Sequence, residues 1–92
     1  MTKIYNLEPI NSTQKSFYGK AIVKELRNGS KLLYSYDTLV CGLRPNNEIA
    51  HIGYYSQTTA KHINEFLQQN GHDKMSKKEI VAFGEKLPDL TL

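Results

Sequence analysis

Tryptophan is absent from this 92-residue chain, cysteine occurs once, and no apolar run approaches the length of a membrane span. A lone cysteine cannot close an intrachain disulfide, so the fold must be held by packing and hydrogen bonds. A helix that crosses a bilayer needs roughly 20 consecutive apolar residues, which rules out a spanning helix here. Met1-Thr2-Lys3 is followed by no apolar segment of signal-peptide type, so the expected location is cytoplasmic. No glycine-rich loop stands before a helix, and a nucleotide site of the P-loop kind is not supported. The histidines His51, His62 and His72 lie at no metal-ligand spacing with one another or with Cys41, so neither a metal nor another cofactor is expected. Internal repeats and low-complexity segments are also missing. The chain reads as a single domain, 1–92.

What the sequence does hold is modest. Apolar residues make up 39% of it, and six of them are tyrosines, so the core must be thin. A domain this size buries about 60–65% of the surface its unfolded chain exposes. A deep reaction pocket is hard to build within that limit, and no catalytic set is evident, so an enzyme is not expected. The net charge of +3 comes from 12 basic and 9 acidic groups. For nucleic-acid binding the arrangement of such charges matters more than their sum.

Hydropathy alternation and turn chemistry predict the elements. Residues 2–7 form an additional N-terminal strand, ended by Pro9, and Asn11-Ser12-Thr13 reads as loop. Residues 18–26 and 31–43 alternate as two strands, and Asn28-Gly29 between them is a strong antiparallel hairpin signal. Asp37 is unusual in a strand, and a bend or bulge near Asp37-Thr38 is expected. Pro45-Asn46-Asn47 turns the chain into a third strand, 49–55. Ser56, Thr58 and Thr59 can each cap a helix over 57–69, whose apolar stripe is Ile63, Phe66 and Leu67. Asn70-Gly71 stops it. Ser76-Lys77-Lys78-Glu79 fits a capping box opening a second helix, 77–87, with Ile80, Phe83 and Leu87 on its stripe and Pro88 at its end. The fold class is α+β: an antiparallel meander of three strands, or four with the N-terminal one, followed by two helices packed on one face.

The candidate binding residues cluster around the strand-to-helix junction. They are Tyr36, Tyr55, Ser56, Thr58, Thr59 and His62. The hydroxyls cap the helix, and a free helix N-terminus can also receive an anion. His62 lies one turn beyond Thr58 and Thr59, where it either bonds a neighbouring hydroxyl or transfers protons with Thr58 or Asp37. Tyrosines offer apolar rings with polar tips, suited to protein recognition or base stacking. A second, basic set is Lys15, Lys20, Lys24, Arg27 and Lys31. It reads as a solvated hairpin face or as a phosphate-contacting one. Cys41, in the apolar run 39–43, is expected to be buried and inert.

The segments SYDTLV (35–40) and YYSQTTAKHINEFL (54–67) resemble a family of small uncharacterised proteins from phages and Gram-positive bacteria. The family pattern is a Y-x-T-x-V-like strand followed by Y-S-x-T-T-x-x-H-I-x-x-F-L. Tyr36, Thr38 and Val40 match the first piece with a shifted spacing. Tyr55, Ser56, Thr58, Thr59, His62, Ile63, Phe66 and Leu67 match the second piece in full. The resemblance covers about 17–71. It implies a phage or mobile-element setting, hence a host-cell cytoplasm, and it brings no activity with it. The expected function is stoichiometric binding to a host or phage protein, with inhibition of a host defence system as one form. The alternative is nucleic-acid binding through the basic hairpin and tyrosines. A homodimer formed by pairing sheet edges or apolar faces is a further expectation.

Overall fold

The computed structural model describes residues 2–10, 17 and 19–87. The loop expected at 11–13, Lys15, Tyr18, and Pro88 with the tail beyond it lie outside them. Five strands and two helices follow in chain order: β1 (Lys3–Asn6), β2 (Ala21–Glu25), β3 (Lys31–Ser35), β4 (Thr38–Leu43), β5 (Ile49–Ile52), α1 (Gln57–Gln69) and α2 (Lys77–Lys86). The strands form one antiparallel sheet in the order β1-β2-β3-β4-β5. The class is α+β, with five strands where three or four were expected.

The extra strand arises because 31–43 is two strands joined by a tight turn. Ser35 pairs with Thr38, and the two residues between them both take positive φ, 50° at Tyr36 and 68° at Asp37. Positive φ at both central residues is the signature of a type I′ turn, which normally draws Asn and Gly. Asp37 is therefore a reversal of the chain and not a bend within a strand. The irregularity itself lies further on. Leu33 pairs with Cys41 and Tyr34 with Leu39, so Val40 is the extra residue of a bulge. That bulge places Val40 and Cys41, adjacent in sequence, both in the core.

Asn28-Gly29 does close a hairpin, by a different turn. Gly29 alone is left-handed, at φ 96°. Leu26 N–H donates to the Ser30 carbonyl (2.8 Å), Gly29 N–H to the Leu26 carbonyl (3.0 Å), and Ser30 N–H to Asn28 Oδ1 (2.9 Å). The β4–β5 loop repeats the design. Arg44 N–H donates to the Glu48 carbonyl (2.8 Å), Asn47 N–H to the Arg44 carbonyl (2.8 Å), and Glu48 N–H to Asn46 Oδ1 (3.1 Å), with Asn47 left-handed at φ 74°. The two loops are neighbours: a Cβ on Gly29 would stand 3.5 Å from Pro45.

Both helices begin, and α1 ends, as their sequences dictate. Ser56 Oγ accepts from Thr59 N–H (3.1 Å). At the other end of α1, His72 N–H reaches back to the Leu67 carbonyl (2.9 Å) and Gly71 N–H to that of Gln68 (3.2 Å), the paired bonds of a Schellman stop around left-handed Gly71. α2 opens with a complete capping box between Ser76 and Glu79. One core joins Phe17, Val23, Leu33, Val40, Cys41 and Leu43 to Ile63, Phe66 and Leu67 of α1 and Ile80 of α2. The second stripe needs correcting. Ile80 is buried and Leu87 packs against the core, but Phe83 is 37% exposed. α2 meets β5 along a narrow line through Ile80 and Gly84, and Phe83 falls outside that line.

Cys41 is fully buried, and burial pushes its thiol pKa up to about 12. In the native protein it should resist an aromatic disulfide reagent at pH 8 and react stoichiometrically once the chain is unfolded in urea. Rapid native labelling would contradict the packing around β4.

Candidate functional site

The junction at Ser56 builds its geometry from the cap outward. Ser56 fixes the first turn of α1 through Thr59 N–H, and the Thr59 side chain then faces the sheet. There Thr59 Oγ1 lies 3.2 Å from Ser35 Oγ, and Ser35 Oγ lies 2.9 Å from His62 Nδ1. The three side chains form one buried chain of hydrogen bonds, with Ser35 2%, Thr59 4% and His62 0% exposed. Phe17 meets the imidazole edge-on at 4.6 Å between ring centroids. Tyr36 leans over it at 6.0 Å. Among the described residues His62 Nε2 has no hydrogen-bond partner.

Burial, and secondarily the charge of Lys20, pushes the His62 pKa below its ordinary value near 6.5. The neutral ring can accept from or donate to Ser35, and a protonated ring would be charged inside an apolar pocket. Its hydrogen bond goes to Ser35 and not to Thr58 or Asp37, and Asp37 is exposed in the turn. The arrangement is a latch between β3 and α1.

A pH dependence follows. The folded pKa of His62 is lowered, so below about pH 6.5 the unfolded chain binds more protons than the folded one. Stability contributed by the neutral ring is complete above that pH and lost as pH falls through 6.5 toward the lowered folded value. Urea midpoints should drop between pH 7.5 and 5, ahead of carboxylate titration near pH 4. His62→Gln should remove most of that slope; an unchanged slope in the variant would place the proton elsewhere.

The other expected residues fall into two groups. Thr58 is half-buried in the first turn, and Ser56 is exposed. Ser56→Ala should cost about 1 kcal/mol in a denaturation midpoint through the lost cap. Tyr36 and Tyr55 are 54% and 56% exposed. The Tyr55 ring folds over Gly53, where an added Cβ would stand 3.1 Å from it. Tyr34 is half-buried in β3, whereas Tyr36 lies in the turn that follows.

The basic set is not gathered on one face. Lys24 Nζ stands 4.7 Å over the Tyr34 ring. Lys31 instead pairs with Glu25 (3.8 Å) and donates to Asn70 Oδ1 at the end of α1 (2.6 Å). Lys20 and Arg27 are exposed in turns. Lys15 lies outside the described residues.

Two features had no signal in the sequence. Ser35 joins the histidine from a distant strand, and only its inward register marks it. Asn64 ties the interhelix loop to α1, donating to the Met75 carbonyl (2.9 Å) and accepting from Met75 N–H (2.7 Å). Among the described residues there is no cluster of three or more His, Cys, Asp or Glu side chains placed to hold a metal ion. Likewise no helix is long and apolar enough to cross a membrane.

The chain belongs to a family of unknown function, DUF8033, matched over residues 5–82. That span runs from within β1 into α2 and contains every residue of the junction. No match is found among curated proteins or among solved structures.

Proposed function

We propose that this protein acts by stoichiometric binding of a protein partner through the tyrosine-bearing end of its sheet. The observation that carries this reading is Tyr36. An aromatic residue at φ 50°, in a turn that contains no glycine, costs on the order of 1–3 kcal/mol of backbone strain. Its ring nevertheless remains 54% exposed, so folding recovers little of that cost by burial. Exposed tyrosines on a rigid base favour protein recognition, because they offer area with little rotamer entropy to lose. The rigid base is the Ser35–Thr59–His62 latch beneath the turn. Tyr55 and Ser56 complete the surface.

In this reading the partner is a phage or host protein in the cytoplasm, as the motif's likeness to phage and Gram-positive proteins suggests, and inhibition of a host defence system is the proposed form of action. Tyr36→Gly separates strain from recognition. Glycine adopts positive φ freely, so the variant should fold at least as stably as the parent. It should also lose the protein captured by the parent from nuclease-treated host lysate. Capture that survives Tyr36→Gly combined with Tyr55→Ala would defeat the proposal.

One observation favours a second reading. Lys24 over Tyr34 forms a cation–aromatic pair on the sheet face away from the helices, with Ile22 and Lys24 on the same side of β2, the kind of platform on which single-stranded nucleic acid stacks. That reading requires steeply salt-dependent binding, and no binding of DNA at about 50 mM salt would end it.

A further inference from the structure

A groove of about 550 Å³ runs along α1 on a stripe distinct from the latch. It is lined by none of Tyr36, Tyr55, Ser56, Thr58 or His62. Its α1 wall runs from Gln57 to Gln68, about 16 Å at 1.5 Å per residue. The opposite wall is the interhelix loop and the start of α2. Lys61 projects from the first wall, and Lys74 and Lys77 from the second.

Three features make this more than a set of surface lysines. First, the walls are fixed to each other. Asn64 binds both backbone groups of Met75, so the loop that carries Lys74 is tied to α1 in advance of any ligand. Second, Lys77 is itself positioned, its Nζ 5.0 Å over the Tyr54 ring at the edge of the groove. Third, among the described residues Lys61, Lys74 and Lys77 have no ion-pair partner. The ion pair of Lys31 with Glu25 lies on other elements. Glu65 is the only acid in the lining; it is 1% exposed and its carboxylate accepts from Gln69 (2.8 Å). Three lysines against one carboxylate leave the groove electropositive, and low-dielectric walls focus such a field.

We infer that this groove binds a phosphorylated small molecule of nucleotide size. Phosphate is the chemistry that three ammonium groups lining one groove recognise as point charges. The volume lies within the range of pockets that take drug-sized ligands, about 300–1,000 Å³, and far exceeds one inorganic phosphate. Gln57 and Gln68 supply amide donors and acceptors at the two ends, and Tyr54, Ala60 and Met75 supply apolar contact between them. A ligand with a polyanionic end and a flat polar end uses all of these groups.

The test is titration of the full chain with ATP at low salt, followed by calorimetry and by amide resonances. Saturable binding is expected, with shifts concentrated from Gln57 to Gln68 and at Lys74 to Lys77. Lys61→Gln with Lys77→Gln should weaken it by about tenfold or more, whereas Lys20→Gln with Lys24→Gln should not. Both pairs are exposed or half-buried, and the same resonances report whether each variant is folded. Pyrophosphate and a hexaglutamate peptide should bind more weakly than ATP. Absence of saturable ATP binding overturns the inference, as does equal affinity in the Lys61/Lys77 variant. Pyrophosphate or the peptide matching ATP would show that charge alone is read. A short oligothymidylate binding far more tightly than ATP would replace the small ligand with nucleic acid. Tyr36→Gly should leave ATP binding intact, so this result is independent of the protein-partner reading.

Discussion

Phe66→Ala is expected to lower the free energy of unfolding by about 3–5 kcal/mol. Phe66 is 1% exposed and belongs to the core shared by the sheet and both helices. The cost has two parts: the apolar transfer energy of the ring, and the cavity it leaves between α1 and the strands. A chain of 92 residues has only about 5–14 kcal/mol in total, at roughly 0.05–0.15 kcal/mol per residue. The variant should therefore melt many degrees lower, at about 4–8 °C per kcal/mol. Phe83→Ala is the internal comparison. The same change at a ring that is 37% exposed should cost well under half as much. Equal losses at the two positions would mean that α2 packs through Phe83 after all.

Gly84→Ala is the second large effect, and here two terms oppose each other. Alanine in a helix interior is favoured over glycine by about 1 kcal/mol. At this position, however, the added Cβ would stand 2.5 Å from the Ile52 carbonyl oxygen, which is backbone and cannot rotate away. α2 must then move off β5, loosening Ile80 in the core. Overpacking of this kind costs about 1–3 kcal/mol and outweighs the propensity gain when the neighbour is rigid. A lower melting temperature with unchanged helix content is the expected result. A more stable variant would show that propensity decides and that the contact yields. Ala82→Gly, on the exposed side of α2, isolates the propensity term alone.

Much of the fold was legible because its local signals agree with one another. Ser56, the stripe Ile63, Phe66 and Leu67, and Asn70-Gly71 each specify the same helix, and α1 forms over the expected residues. The capping box at Ser76 and Glu79 likewise sets the start of α2. The β3–β4 reversal was hidden because Tyr36 is a poor residue for positive φ, and the apolar alternation continues through the turn. Composition alone cannot reveal a strained turn. The bulge at Val40 was obscured for a related reason: it lets two consecutive residues face inward, which no period-two pattern anticipates.

At the junction, the sequence marked Thr59 and His62 but not the strand residue that joins them. Ser35 is 24 and 27 positions away from these partners, and only the register of the sheet brings it near. The groove was invisible for the same reason. Lys61, Lys74 and Lys77 are scattered in the chain and meet only once Asn64 holds the loop. The basic hairpin, compact in sequence, is divided by the pleat, which sends Lys24 to one side of the sheet and Lys31 to the other.

The sheet's two margins are unequal. At β5 the backbone of α2 stands against Ile52, whose carbonyl oxygen would lie 2.5 Å from a Cβ on Gly84. At the far margin, Lys3, Ile4 and Tyr5 of β1 are open to water, with Ile4 64% exposed. β1 is therefore the border more open to an added strand. Two molecules joined through β1 would each turn outward the border that α2 flanks.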